Sequence, residues 1–220
     1  MNDLAFSFVQ QNLRALGSGA LWWPDQNLLC VSDLHLGKSE RMARRGGPSL
    51  PPYDSLDTLT RLAADIEKTE AQTVICLGDS FDDLDALAAL GTAEKLRLTA
   101  LQAGRQWIWI EGNHDPGPID LGGTHRSDCL AGPLVFRHIA QPGGRGEVSG
   151  HFHPKIRLKA RGRSITRPAF LLDHARLILP AYGTYTGGLL SSEKVLNELM
   201  SDRAMAILTG QQPQLIPMPR

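Results

Sequence analysis

Apolar positions arrive in short runs broken by turn-forming residues, and only a few stretches carry helical spacing. The first 31 residues hold four such runs, LAFSFV, NLRAL, GALWW and NLLCV. Gln, Gly-Ser-Gly and Pro-Asp-Gln chemistry separates them, so each is expected to be a strand. GKSERMARR reads as a short helix ended by Gly46-Gly47-Pro48. Beyond GGPSLPPY, Leu56, Leu59, Leu62, Ala63 and Ile66 recur at helical spacing, which predicts a helix over about 54–70. TVICLGD is a buried strand, 83–90 and 93–103 are helical, and QWIWIEG is the next strand. The second half changes character. PLVFRH, GEVSG, KIRLKA, PAFLL, ARLILP, AMAILT and QLIPM are short strands, interrupted by one helix near 192–200. A β-α-β-α-β start followed mostly by strands implies two facing sheets with helices outside. No repeat, low-complexity tract or interdomain linker is evident, so residues 1–220 are expected to form a single domain.

Composition adds little until its distribution is followed. Hydrophobic residues make up 42% and charged residues 21%, as in ordinary globular chains. No apolar stretch approaches the roughly 20 residues a membrane span needs. MNDLAFSFVQQ lacks a basic flank followed by an apolar core, so no secretory signal is expected. Three cysteines are too few, and odd in number, for a disulfide framework. Cys30 and Cys76 lie inside apolar runs and read as buried thiols of a reducing cytoplasm. The zero net charge conceals polarity: residues 36–53 and 154–172 together hold ten basic residues and one acid. They carry +9 and the remainder −9.

Apolar runs repeatedly end in Gly, Asp and His clusters: VSDLH (31–35), CLGDSFDD (76–83), EGNHDP (111–116) and VSGHFH (148–153). One such cluster is an ordinary turn or cap; these four, with His138 at the end of PLVFRH as a fifth ordered element, are not. Functional groups gather beyond the carboxyl ends of strands in α/β sheets. Asp33 and His35 alternate across one residue and share a cavity if their strand extends that far. Asp79 ends the next strand, His138 ends PLVFR, and His151 and His153 alternate again. His138 is preferred to His125, which lies in the polar loop GGTHRSD. Hard oxygens plus imidazoles, with no thiolate, suit Mn, Fe or Zn. Seven ligands, Asn113 included, fit two ions sharing a carboxylate, and such pairs clamp a phosphoryl group. His114 then stays free of metal and reaches the phosphate or its leaving oxygen, with Gly112 allowing the tight turn.

These residues resemble the calcineurin-like metallophosphoesterases: Asp33-Leu-His35, Gly78-Asp79-Ser-Phe-Asp82, Gly112-Asn113-His114-Asp115, His138 and Gly150-His151-Phe-His153. The resemblance implies a four-layer α-β-β-α sandwich of two facing mixed sheets. It implies Asp33, His35, Asp79 and His153 on one ion, and Asp79 as bridge to Asn113, His138 and His151 on the other. A bridging hydroxide would attack in line, and His114, held by Asp82, would protonate the leaving oxygen or stabilise the phosphate. DLHLGK, SGHFHPK, the basic strand after it and LPAYGTYTGG are similar to the bacterial DNA-ligase-associated metallophosphoesterases, a family of DNA-damage-response endonucleases. That likeness implies Mn²⁺-dependent cleavage of single-stranded or damaged DNA in a bacterial cytoplasm, in functional association with a DNA ligase and a helicase. The alternatives are a small-molecule phosphodiesterase or nucleotide phosphohydrolase, and a non-enzymatic scaffold for repair proteins.

Residues 155, 157, 159, 161 and 163 are all Lys or Arg, and 156, 158 and 160 are apolar. With period two, Lys155, Arg157, Lys159 and Arg161 share a face that, in a regular strand, spans roughly 26 Å with Arg163. It would track a phosphate backbone, or be the solvated face of an edge strand. Lys38, Arg41 and Arg45 share a helical face just beyond His35 and would form an opposite wall. Tyr182 and Tyr185 would stack on bases or pack at a tight turn.

Overall fold

The computed structural model describes residues 2–47, 50–117, 120–160 and 162–220. The first sheet contains β1 (Asp3–Phe8), β2 (Gln11–Leu16), β3 (Leu21–Trp23), β4 (Leu28–Val31), β5 (Thr73–Leu77), β6 (Gln106–Ile110) and β7 (Thr124–Arg126), in that spatial order. β1 to β4 pair antiparallel, and β4 to β7 pair parallel. The helices α1 (Lys38–Arg44), α2 (Asp54–Thr69), α3 (Leu84–Ala89) and α4 (Thr92–Gln102) lie in the parallel connections. The second sheet holds β8 (Asp128–Ala131), β9 (Leu134–Arg137), β10 (Glu147–Ser149), β11 (Lys155–Ala160), β12 (Arg163–Leu172), β13 (Arg176–Ile178), β14 (Met205–Leu208) and β15 (Gln214–Pro217), with α5 (Lys194–Leu199) before β14. β9, β10 and β13 run parallel, and the other pairs are antiparallel.

Side-chain alternation turns these two mixed sheets into four layers. In β5, Ile75 and Leu77 enter the core between the sheets, where Phe136, Phe170, Leu177 and Ile207 meet them. Val74 and Cys76 face the other way, onto Leu59, Leu62 and Ile66 of α2 and Leu98 of α4. In β14, Ile207 points inward while Ala206 and Leu208 pack with Leu196 of α5. Each fully buried Leu or Ile contributes about 1.5–3 kcal/mol, so α2 is held by its apolar stripe. The order is therefore helix, sheet, sheet, helix, as expected. Cys30, Cys76 and Cys129 are free and buried. No helix among the described residues is long and apolar enough to cross a membrane.

Three expectations change. His125 is in strand β7, its ring lying along Trp109 at 6.3 Å, and is not in a loop. β8 is a further strand, DCLA, that the pattern did not disclose. The basic strand stops at Ala160, and β12 returns from Arg163 with Ala160 opposite Arg163 and Ile156 opposite Arg167. A hairpin thus replaces the single extended run of five cations. Cross-strand partners share a face, so Arg163 and Arg167 lie with Ile156, opposite to Arg157 and Lys159.

Candidate metal centre

Asp33, His35, Asp79, His151 and His153 all adopt positive φ, at 53°, 44°, 45°, 70° and 46°. Such backbone is costly for residues with a side chain and persists where the surroundings enforce it. β4 ends at Val31 and β10 at Ser149, so strand alternation is not what aims these side chains. Left-handed turns beyond the strand ends do it instead. Gly150 permits one of them: a Cβ there would strike the Ser32 hydroxyl and the Asp33 carboxylate.

The turns bring together two groups, Asp33 with His35 and His153, and Asp79 with His138 and His151; within each, the ligand atoms lie within 4.8 Å of one another. Asn113 joins the second group, its Oδ1 3.0 Å from His138 Nε2. His138 Nδ1 is 2.8 Å from the Leu77 carbonyl, which fixes its N–H and turns Nε2 inward. His35 Nδ1 sits 2.8 Å from Asp82 Oδ1. The alignment is poor for a hydrogen bond, but neither atom has another hydrogen-bond partner among the described residues, so Nδ1–H faces the carboxylate. His35 Nε2 is then left 3.4 Å from His153 Nε2, and His138 Nε2 lies 3.2 Å from His151 Nδ1. Two unprotonated nitrogens at such distances repel; the contact is relieved by a proton shared with the neighbouring carboxylate, Asp33 Oδ1 3.2 Å from His153 Nε2 and Asp79 Oδ2 3.4 Å from His138 Nε2, or by a cation between the nitrogens. The donor set fits divalent metal ions.

Charge agrees with this. Burial opposes ionisation of Asp79, but the hydrogen bond and charge of His138, with the His114 N–H, outweigh it and hold its pKa at about 2. Burial likewise opposes protonation of His138, yet Asp79 and Asp33 raise it to about 9. Burial and the His138 charge lower His151. In the absence of metal, a proton on His138 takes the place of a cation.

Asp82 acts differently from the sequence expectation. Its carboxylate faces His35, Lys38 and Arg41, and it holds His114 through its backbone carbonyl, 2.7 Å from His114 Nδ1. Burial opposes its ionisation, but His35 and Arg41 hold its carboxyl far below the usual range. Asp115, quoted in the motif but given no role there, is buried and accepts the N–H groups of Asp79 (2.9 Å), Ser80 (2.7 Å), Phe81 (3.2 Å) and Gly112 (3.1 Å). It braces the turn that presents Asp79. Gly112 serves close approach, not a special turn angle, since a Cβ would strike the Asp79 nitrogen. Asp115→Asn would point an NH₂ at two of those donors. Leaving buried N–H groups unpaired costs about 1–3 kcal/mol each. At about 2–4 °C per kcal/mol for a chain of this length, thermal unfolding should therefore show Tm lower by at least about 4–8 °C, the low end for two such groups, with activity reduced; an unchanged Tm would remove Asp115 as the brace.

The outer residues divide. Lys38 and Arg41 lie 3.6 and 2.8 Å from Asp82, and Arg45 lies 3.3 Å from Asp83, so the α1 cations are already paired. Asp83 also caps α3 by accepting the Ala86 N–H at 2.7 Å. Lys155 donates to the Thr186 carbonyl at 3.0 Å. Arg157 and Lys159 are exposed, and Arg161 lies outside the described residues. Tyr182 cannot stack on a base: it is 1% exposed, its hydroxyl donates to Asp65 at 2.9 Å, and Arg61 covers its ring. Tyr185 is exposed, at φ 62°.

The calcineurin-like phosphoesterase family matches residues 27–199. The chain belongs to that family, and is a metal-dependent hydrolase of phosphoesters. A similar solved structure is the crystal structure of Pseudomonas putida nuclease MPE, 26% identical, with 97% of this chain and 100% of that chain covered at a TM-score of 0.76. No curated protein matches the sequence.

Proposed function

We propose that the protein hydrolyses DNA phosphodiester bonds with two divalent ions, Mn²⁺ first among them, acting on single-stranded or damaged DNA in repair. The likeness over nearly the whole chain to a solved nuclease carries the step from phosphoesters to nucleic acid. Asp33, His35, Asp79 and His153 would hold one ion, and Asn113, His138 and His151, with Asp79 shared, the other. Bound there, the ions supply Lewis-acid activation of water and phosphate. The chain's own part lies in His114. Its Nδ1–H is tied to the Asp82 carbonyl, which turns Nε2 toward the centre, 4.0 Å from Asp79 Oδ2; as the imidazolium, with both ring nitrogens protonated, the ring would give its Nε2 proton to the leaving oxygen and keep the one on Nδ1. Association with a ligase and a helicase in the bacterial cytoplasm rests on the family resemblance alone.

The hairpin cations Arg157 and Lys159 support a polyanionic substrate. The pairing of Lys38, Arg41 and Arg45 with acids favours the second reading, a small phosphodiester. Metal-stripped protein given back Mn²⁺ is expected to cut end-labelled single-stranded DNA. Arg157→Gln with Lys159→Gln should weaken binding and lower its log–log salt slope by about 1.4, or 0.7 per cation, with a smaller effect on an aryl phosphodiester. Equal losses on both substrates would take the hairpin out of DNA binding. Intact DNA beside a hydrolysed aryl diester would move the substrate to a small molecule.

A further inference from the structure

Arg137 ends β9 immediately before His138, and the two side chains line one cavity of about 480 Å³ together with Asn113. Two carboxylates flank the guanidinium without taking its hydrogen bonds: Asp128 lies 3.6 Å from Nη2 and buried Glu147 lies 3.7 Å from Nε. Both distances exceed hydrogen-bond range. Among the described residues the Arg137 guanidinium makes no hydrogen bond, although the side chain is only 19% exposed and Nε is buried. Among the described residues it is the only Lys or Arg lining that cavity, and Ile139, 42% exposed, adds an apolar surface. The guanidinium, paired at long range with Asp128 and Glu147 but hydrogen-bonded to neither, lines the cleft beside two candidate ligands and is suited to an oxyanion that draws it closer.

We propose that this cavity is a subsite for a second phosphate of the substrate, one linkage from the scissile group, and that Arg137 recognises it. The inference rests on phosphoester hydrolysis at the adjoining centre and deepens the polynucleotide reading. Arg137 shares its cavity with His138 and Asn113, so it serves a group neighbouring the one held at those ligands. Glu111 and Asp128 also border the cavity, and make a guanidinium necessary there if a phosphate is to enter.

The test compares Mn²⁺-loaded wild type with Arg137→Gln and Arg137→Lys on p-nitrophenyl phosphodiesters of thymidine. Each substrate, the 5′-ester and its 3′ isomer, is used with and without a phosphate on the opposite sugar hydroxyl. Wild type is expected to favour one bisphosphate over its parent, and Arg137→Gln to erase about tenfold or more of that preference through KM. Arg137→Lys should retain part of it, keeping charge but losing the fork. A binding readout accompanies this: anisotropy of a labelled tetranucleotide, whose three linkages include a central one, on His114→Ala protein. A neutral methylphosphonate next to the central linkage and Arg137→Gln should each weaken binding about tenfold, and no further when combined. Indifference of wild type to the second phosphate, equal losses on all esters (a mere strut between β8 and β10) or additive binding losses would each overturn the subsite. DNA left uncut while the ester preference persists would instead sink the DNA reading and leave the subsite standing.

Discussion

His114→Ala is expected to cut DNA hydrolysis by about 10²- to 10⁴-fold, the range for losing a positioned proton donor, with metal content unchanged. Geometry separates the two effects. The His114 main-chain N–H donates to Asp79 Oδ1 at 2.8 Å, and alanine keeps that bond, so the turn around Asp79 survives. What disappears is the ring, anchored at Nδ1 and lying with Nε2 4.0 Å from Asp79 Oδ2. The loss should fall on kcat, because the interaction matters most as the leaving oxygen develops charge. p-Nitrophenolate leaves without help, so an aryl diester should lose much less than DNA if His114 is the acid. Equal losses would make His114 a phosphate stabiliser instead. Undiminished turnover, measured with metal content determined on the same samples, would remove it from the mechanism.

The fold was legible wherever one side-chain period dominated. β5 and β6 read as continuous apolar runs because both faces are covered, and α2 shows its stripe because one face alone is. β7 and β8 did not show, since THR and DCLA are short and mostly exposed, and a strand of that kind is formed by its neighbours' hydrogen bonds. The front of β12, RSITR, was hidden for the same reason: its pairing is with β11 alone. At the site, residue types and order disclosed the metal-binding chemistry, because few other roles need five Asp and His clusters at strand ends. How those groups converge was not legible. Alternation accounted for Asp33 and His35 on paper, whereas five left-handed residues do so in the molecule. Partner choice was likewise invisible. A pattern of cations says nothing about which are spent on Asp82 and Asp83, and an isolated Tyr182 gives no sign of Asp65, 117 residues away. Asp115 had a signal in its place within Gly-Asn-His-Asp, but its four N–H donors come from backbone that only folding assembles.

Stripping divalent metal is expected to lower Tm by roughly 8–16 °C. A ligand at a thousand times its Kd stabilises the folded state by about 4.1 kcal/mol, and about 2–4 °C accompany each kcal/mol at this chain length. The stripped protein should respond to pH with a definite sign. His138 has its pKa raised to about 9 by Asp79 and Asp33 against the opposing effect of burial, well above the ordinary value near 6.5. Its proton therefore stabilises the metal-free fold fully below about pH 6.5, and that contribution drains away as pH rises toward about 9. Metal takes the unprotonated imidazole, so its apparent affinity climbs over the same interval. Both trends widen the gap between loaded and stripped Tm as pH goes from 6.5 to 8.5. Scanning calorimetry at a series of pH values checks this, with His138→Ala beside the wild type. In that variant the pH-dependent part of the gap should shrink, because proton and metal have lost one of the nitrogens they compete for. A wild-type gap that stays constant or narrows would show that His138 is not a ligand, and would leave Asp79, Asn113 and His151 to hold the second ion without it.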